Sequence, residues 1–120
     1  MDGIVIFSSA NSHPLAFLLN RSFRHVWCAL RDEDRGVWVS CNWHQGVPVI
    51  QVEAGCDFDL AAYYEEKGYT VIAMRRGEDP PNTPVVLNNC VGYVKVAMAI
   101  RSWALTPYQL YRHLTKELTT

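Results

Sequence analysis

Two runs of aromatic and β-branched residues, separated by a short polar segment, constrain the fold of this chain more than any other feature. The first run covers Phe23–Leu30 and the second covers Val37–His44. Residues of these types favour strands. The segment between them, Arg31–Gly36, is charged and closes on a glycine, which is typical of a turn. The pattern therefore predicts an antiparallel hairpin in the first half of the chain.

The segments around this hairpin predict further strands and helices. Strands are expected at Val47–Glu53 and Tyr69–Arg76, and Gly3–Phe7 fits either a strand or an irregular entry segment. Helical structure is expected at Ser12–Asn20 as a short turn, at Asp57–Gly68 with Asp57 or Asp59 as N-cap, from Cys90 to about Trp103, and from Thr106 onward. This order predicts one α+β domain over residues 1–120, with a mostly antiparallel sheet packed against helices.

The charge balance and the hydrophobic pattern argue against two classes of partner. The 11 basic and 12 acidic side chains give a net charge of −1, and no basic stripe is present, so nucleic-acid binding is not expected. The longest apolar stretch, Val91–Leu105, contains Lys95 and Arg101, so no membrane span is expected. We see no signal-peptide pattern, which predicts a cytoplasmic location.

The four cysteines are Cys28, Cys41, Cys56 and Cys90. A domain of this size folds without disulfide cross-links, and most of these cysteines lie in or beside apolar runs. We therefore expect free thiols rather than two disulfides. No pair has the C-x-x-C spacing of a structural zinc site, and the sequence predicts neither a metal nor another cofactor.

Cys90 is the best candidate nucleophile. It follows Asn88-Asn89, which is a natural N-cap pair, and so falls in the first turn of a predicted helix. Unpaired main-chain N–H groups and the helix dipole at this position favour a thiolate and can bind a developing oxyanion. The sequence thus predicts a lowered pKa for this thiol, although a small buried residue at a helix start is an equally simple interpretation.

His25 is the candidate general base, and a third residue is needed to orient its ring. His25 shares a strand face with Trp27. If the turn is centred near Glu33 or Asp34, the end of the second strand lies opposite His25. Asn42 is the best placed partner, and the alternatives left open are Ser40, His44 and, on the next strand, Glu53.

These residues give the chain a resemblance to a known superfamily. A histidine on the first strand of a hairpin (Arg24-His25-Val26), polar residues on the second (Trp38–His44) and a cysteine heading a later helix (Asn89-Cys90-Val91) resemble the permuted papain-like cysteine hydrolases. This superfamily includes permuted NlpC-type cell-wall peptidases and lecithin–retinol acyltransferase-like enzymes. The chain is also similar to small phage-encoded members, most distinctively in the tail Ile100–Arg112, and the similarity covers Phe23 to Arg112.

The resemblance implies a cysteine peptidase or acyltransferase that acts on an amide or ester, with peptide or peptidoglycan as substrate. It implies that Cys90 attacks the acyl carbon, that His25 activates the thiol and that an acyl-enzyme forms. Many permuted members place a glycine soon after the histidine, where this chain has Trp27. That departure favours a second hypothesis: a catalytically inactive structural or assembly module of the same fold, associated with phage structural proteins. A third hypothesis is a metal site built from His25, His44 and cysteines.

Overall fold

A computed structural model of the chain confirms the α+β class: within the residues that it describes, a five-stranded antiparallel sheet is accompanied by three helices. The structure describes residues 2–8, 25–44, 46–77, 90–100, 102, 104 and 107–119. Two predicted features lie outside these residues: the turn at Ser12–Asn20 and the Asn88-Asn89 cap.

The strands are β1 (Asp2–Ser8), β2 (His25–Asp32), β3 (Val37–His44), β4 (Val47–Gly55) and β5 (Thr70–Arg75). Their order across the sheet is β4-β3-β2-β1-β5, and every neighbouring pair is antiparallel. The predicted hairpin is therefore confirmed as β2–β3. The N-terminal apolar run is a strand, and it lies inside the sheet between β2 and β5.

The helices are α1 (Leu60–Glu66), α2 (Cys90–Ala97) and α3 (Pro107–Thr119). Asp59 caps α1, because its carboxylate accepts a hydrogen bond from the Ala62 N–H at 3.1 Å. Pro107 opens α3 at the first helical position, as the sequence predicted.

Helix α2 ends earlier than the sequence predicted. Ala99 adopts a left-handed backbone with φ 52°. The Ile100 N–H donates to the Lys95 carbonyl at 2.9 Å, and the Ala99 N–H donates to the Val96 carbonyl at 3.3 Å. These two bonds form a Schellman motif, which closes a helix and prevents its continuation toward Trp103.

Both faces of the sheet carry buried side chains. Successive side chains of β2 point to opposite faces, and we use them to define the two faces. Val26 and Cys28 point toward α2 and α3, with Phe7 of β1 and Val94 of α2; we call this side the α2 face. The opposite side is the α1 face, and its buried residues are Ile4, Ile6, Trp27, Ala29, Trp38, Leu60 and Tyr64. Because residues 25 and 26 are neighbours on one strand, they present their side chains to different faces.

No helix within the described residues is long and apolar enough to cross a membrane.

Candidate active site

The β2–β3 ladder stops short of the strand ends, and the candidate residues lie where it stops. Paired residues run from Asp32–Val37 to Cys28–Cys41 and go no further. On its other side, β2 stays paired with β1 as far as His25. The start of β2 and the end of β3 therefore share no rungs. We call this unpaired stretch, residues 25–27 and 42–44, the β2–β3 gap.

His25 and Asn42 meet across this gap. His25 Nε2 lies 2.6 Å from Asn42 Oδ1. An amide oxygen can only accept a hydrogen bond, so Nε2 carries the proton and donates it. In the neutral ring this leaves Nδ1 as the basic nitrogen. The imidazole also stacks on Trp27, with ring centroids 5.5 Å apart and planes inclined by 28°. The ring is thus held from two directions in one tautomer.

Among the proposed orienting residues whose side chains the structure describes, Asn42 is the one that contacts His25. Ser40 is buried and donates to Glu53 Oε1 at 2.8 Å, and Glu53 also accepts from Gln51 Nε2 at 3.0 Å. Ser40 and Glu53 are therefore engaged with one another further along the strands. The side chain of His44 lies outside the described part of the chain.

Cys90 is the first residue of α2 and is partly buried on the α2 face. Burial raises the pKa of its thiol, and the main-chain N–H groups of Val26, Cys90 and Val91 oppose that rise without overcoming it. The prediction of a lowered pKa is therefore wrong for this thiol. The N–H donors expected at a helix start are present, but desolvation by the packed sheet outweighs them.

The Val26 N–H connects the thiol to the histidine strand. Alternate residues of a strand direct their N–H groups to opposite neighbours. Since the β2–β3 ladder ends at Cys28, the Val26 N–H has no rung of that ladder to join, and it lies near enough to the Cys90 sulfur to oppose the rise in that thiol's pKa. The thiol thus lies against the main chain of the residue that follows His25.

The thiol and the imidazole approach the gap from opposite faces. Cys90 comes from the α2 face, whereas the His25 ring stacks on Trp27 on the α1 face. No hydrogen bond joins the two side chains among the contacts of the described residues. The structure therefore brings His25 to Asn42, but it does not bring the Cys90 thiol into contact with the His25 imidazole.

No protein-family model, curated protein or solved structure matches the chain.

The described residues include no group of three or more His, Cys, Asp or Glu side chains placed to hold a metal ion. All four cysteines are free thiols, as the sequence predicted.

Sequence reasoning missed the cysteine pair beside the gap. Cys28 and Cys41 are direct partners in the β2–β3 register. The signal was available, because a hairpin turn centred between Asp34 and Arg35 places these two residues opposite one another. Tyr93, one turn after Cys90 on α2, was also missed, and its ring lies 6.0 Å from that of Trp43.

Proposed function

We propose that the protein is a cysteine hydrolase or acyltransferase that acts on an amide or ester bond. In this proposal Cys90 is the nucleophile, His25 is the general base and Asn42 is the positioning residue that holds the imidazole. The observation that supports the proposal is the placement of the three residues around the start of β2: His25 Nε2 lies 2.6 Å from Asn42 Oδ1, and the Cys90 thiol lies near the main chain of Val26 on the opposite face. A nucleophile, a base and an orienting group form the minimal set for this chemistry.

The tautomer of His25 defines its role. With Nε2–H donated to Asn42, Nδ1 is the nitrogen left to accept the thiol proton as sulfur attacks the acyl carbon, and this step requires the imidazole and the thiol to meet from opposite faces of the sheet. Nδ1–H then protonates the leaving amine or alcohol. Water or another acceptor next attacks the thioester, and the same nitrogen takes its proton. Because burial keeps the resting thiol protonated, proton transfer accompanies the attack rather than preceding it.

The start of α2 supplies groups that stabilise the transition state. The N–H groups of Cys90 and Val91 belong to the first helical turn, where main-chain donors have no intrahelical partner. They already interact with the sulfur and lie beside the carbon that it would attack. Two donors at this position can bind the oxyanion of a tetrahedral intermediate. The resemblance to permuted NlpC-type enzymes assigns a peptide or peptidoglycan-like substrate.

Acylation by p-nitrophenyl acetate tests the reaction class. We expect a burst of p-nitrophenol and an acetyl group on Cys90, located by mass spectrometry of peptides. His25→Ala should lower the acylation rate by ~10²–10⁴-fold, the usual contribution of a general base. Asn42→Ala should lower it by a smaller factor, because the base remains but loses its fixed orientation. Peptide amides and purified peptidoglycan then identify the natural bond.

Cys56→Ser is the matched control, since Cys56 is a partly exposed thiol in the turn between β4 and α1. This variant should acylate at the wild-type rate. The proposal is contradicted if acetylation occurs mainly on Cys56. It is also contradicted if Cys90 is acetylated at the same rate in wild type and in His25→Ala. Circular dichroism of each variant separates a lost base from a lost fold.

A non-catalytic assembly module is the second candidate. Two observations favour it: the raised pKa of Cys90, and exposed apolar side chains on edge strand β4, where Val47, Ile50 and Val52 are 57%, 66% and 65% exposed. Exposed apolar residues on a sheet edge are typical of contact surfaces. If Cys90→Ala retains the protein's biological role while Ile50→Lys abolishes it, this candidate replaces the hydrolase.

A further inference from the structure

Two thiols that the proposed reaction does not use face one another beside the gap. Cys28 and Cys41 form the last rung of the β2–β3 ladder. Both side chains belong to the buried cluster of the α2 face. Their exposed fractions are 0% and 9%, and both are free.

Directly opposed positions of an antiparallel pair are compatible with a disulfide. Directly opposed residues of an antiparallel pair have Cα atoms about 4.5 or 5.5 Å apart, depending on the type of rung. A disulfide accepts Cα separations of about 4.4–6.8 Å, so either type is compatible. The Cys28 thiol donates to the Cys41 carbonyl at 3.9 Å, which keeps its sulfur on the Cys41 side. Bond formation therefore needs side-chain rotation and no movement of the strands.

The two thiols differ in acidity. One has a lowered pKa, as suits the thiol that reacts with an oxidant, and the other has a raised pKa, as suits the thiol that then forms the disulfide. The Cys28 thiol beside it lowers the pKa of Cys41 to about 7; burial opposes this, and a hydrogen bond with the Tyr93 hydroxyl adds to it. The same pairing, together with burial, raises the pKa of Cys28 well above its usual value. Oxidants attack the thiolate, so Cys41 is the residue that reacts first.

We propose that Cys28 and Cys41 are a redox-active pair that hydrogen peroxide converts reversibly into a cross-strand disulfide. The Cys41 thiolate attacks one peroxide oxygen, the O–O bond breaks, and Cys41 sulfenic acid and hydroxide form, the latter taking up a proton to give water. The Cys28 sulfur then attacks the Cys41 sulfur, and the sulfenic hydroxyl leaves as a second water with the Cys28 proton. In sum, two thiols and one peroxide give one disulfide and two waters. A small oxidant suits thiols that are this well buried.

The disulfide has a consequence for the candidate active site. It draws the Cys41 sulfur toward β2 and away from Tyr93, which lies one turn after Cys90 on α2. It also fixes the rung at which the β2–β3 gap begins. This role rests on the two thiols alone and stands whether or not Cys90 is a nucleophile.

Peptide mapping after oxidation tests the pair. Protein is treated with hydrogen peroxide, quenched with catalase, denatured, alkylated with iodoacetamide and digested with trypsin without reduction. No Lys or Arg separates Cys41 from Cys56, so a Cys56→Ser background makes the assignment unique. We expect a linked peptide containing Cys28 and Cys41, a loss of two hydrogens from the intact mass, and full reversal by dithiothreitol.

Matched variants complete the test. Cys90→Ser should leave the Cys28–Cys41 link unchanged, whereas Cys41→Ser and Cys28→Ser should each abolish it. The proposal is overturned if both cysteines remain alkylated after peroxide has oxidised Cys56 in the wild-type protein. A link from either residue to Cys56 or Cys90 overturns it as well. Fragment-ion sequencing of the linked wild-type peptide distinguishes Cys41 from Cys56, so these readings are obtained even if a variant fails to fold.

Discussion

The two faces of the sheet differ in how they hold their reactive side chains. On the α1 face, hydrogen bonds and aromatic rings surround His25: Asn42 binds its Nε2 and Trp27 stacks on the ring. On the α2 face, the thiols of Cys28, Cys41 and Cys90 lie among aliphatic side chains. One strand thus presents an ordered imidazole to one side and desolvated thiols to the other, because its side chains alternate.

This difference explains why the His25 imidazole has a fixed tautomer with a hydrogen-bond partner, whereas the Cys90 thiol is desolvated. A hydrogen bond to one ring nitrogen fixes the tautomer of an imidazole and leaves the other nitrogen able to accept a proton. An apolar surrounding keeps a thiol protonated, since burial disfavours the charged form. The start of β2 is where the two surroundings meet, with His25 on one face and Val26 beside Cys90 on the other.

The largest expected effect comes from opening the α2 face. Phe7 is fully buried and packs edge-on against Tyr111, with ring centroids 5.5 Å apart. Phe7→Ala should lower the free energy of unfolding by ~3–5 kcal/mol, measured by urea denaturation. It should also let iodoacetamide reach Cys28 in native buffer, because both residues belong to one cluster.

Leu60→Ala is the matched change on the α1 face, where Leu60 is 2% exposed. It should cost ~2–5 kcal/mol but leave Cys28 protected, since the sheet lies between them. If Leu60→Ala exposes Cys28 as fast as Phe7→Ala does, the two faces do not behave as separate clusters.

A buried lysine on the α2 face carries the next largest effect. Lys95 is 1% exposed, and its Nζ donates to the Ser102 and Ala104 carbonyls, each at 2.9 Å. Lys95→Met keeps the length of the stem and removes the donor, so it should cost ~1–3 kcal/mol in unfolding free energy.

Arg76→Ala is the control for that change, because Arg76 also donates to a carbonyl near the end of α2, that of Ala97 at 2.8 Å, but is exposed. Its effect should be under ~1 kcal/mol, as solvent replaces the lost bond. Equal costs for the two variants would mean that burial of the donor adds nothing to the stability of this face.

The sequence predicted those parts of the fold that depend on local pattern. The β2–β3 hairpin follows from two strand-like runs and a polar turn, and the cap of α1 follows from an aspartate at the right spacing. The Asn42 contact with His25 follows from their shared face but not from the turn centre, because the observed register, when continued, places Asn42 opposite Trp27 and makes the contact with His25 a diagonal one.

The remaining features depend on residues far apart in the chain. Phe7 pairs with Val26 on one side and Thr70 on the other, and no local pattern indicates that β1 joins those two strands. The end of α2 was missed because Ala99 occupies a left-handed position where glycine is usual. The prediction of a lowered pKa for Cys90 was wrong for a similar reason. The local sequence indicates that Cys90 begins a helix, but the burial that raises its pKa comes from packing against β2.

The smallest expected effect is a pH dependence of the unfolding free energy, which tests whether the Cys90 thiol is desolvated. Its folded-state pKa is raised, so above the unfolded-state pKa of about 8.5 the unfolded chain loses this proton before the folded chain does. The contribution of Cys90 to stability is therefore complete below about pH 8.5 and is lost as pH rises toward the folded-state pKa. Urea denaturation of wild type and Cys90→Ala on both sides of that pH should show their stability difference shrinking as pH increases. Cys28 has a raised pKa in both proteins, so its contribution cancels in the comparison. A difference that grows with pH would mean that the thiolate is favoured in the folded protein, and that the start of α2 outweighs the apolar packing around the sulfur.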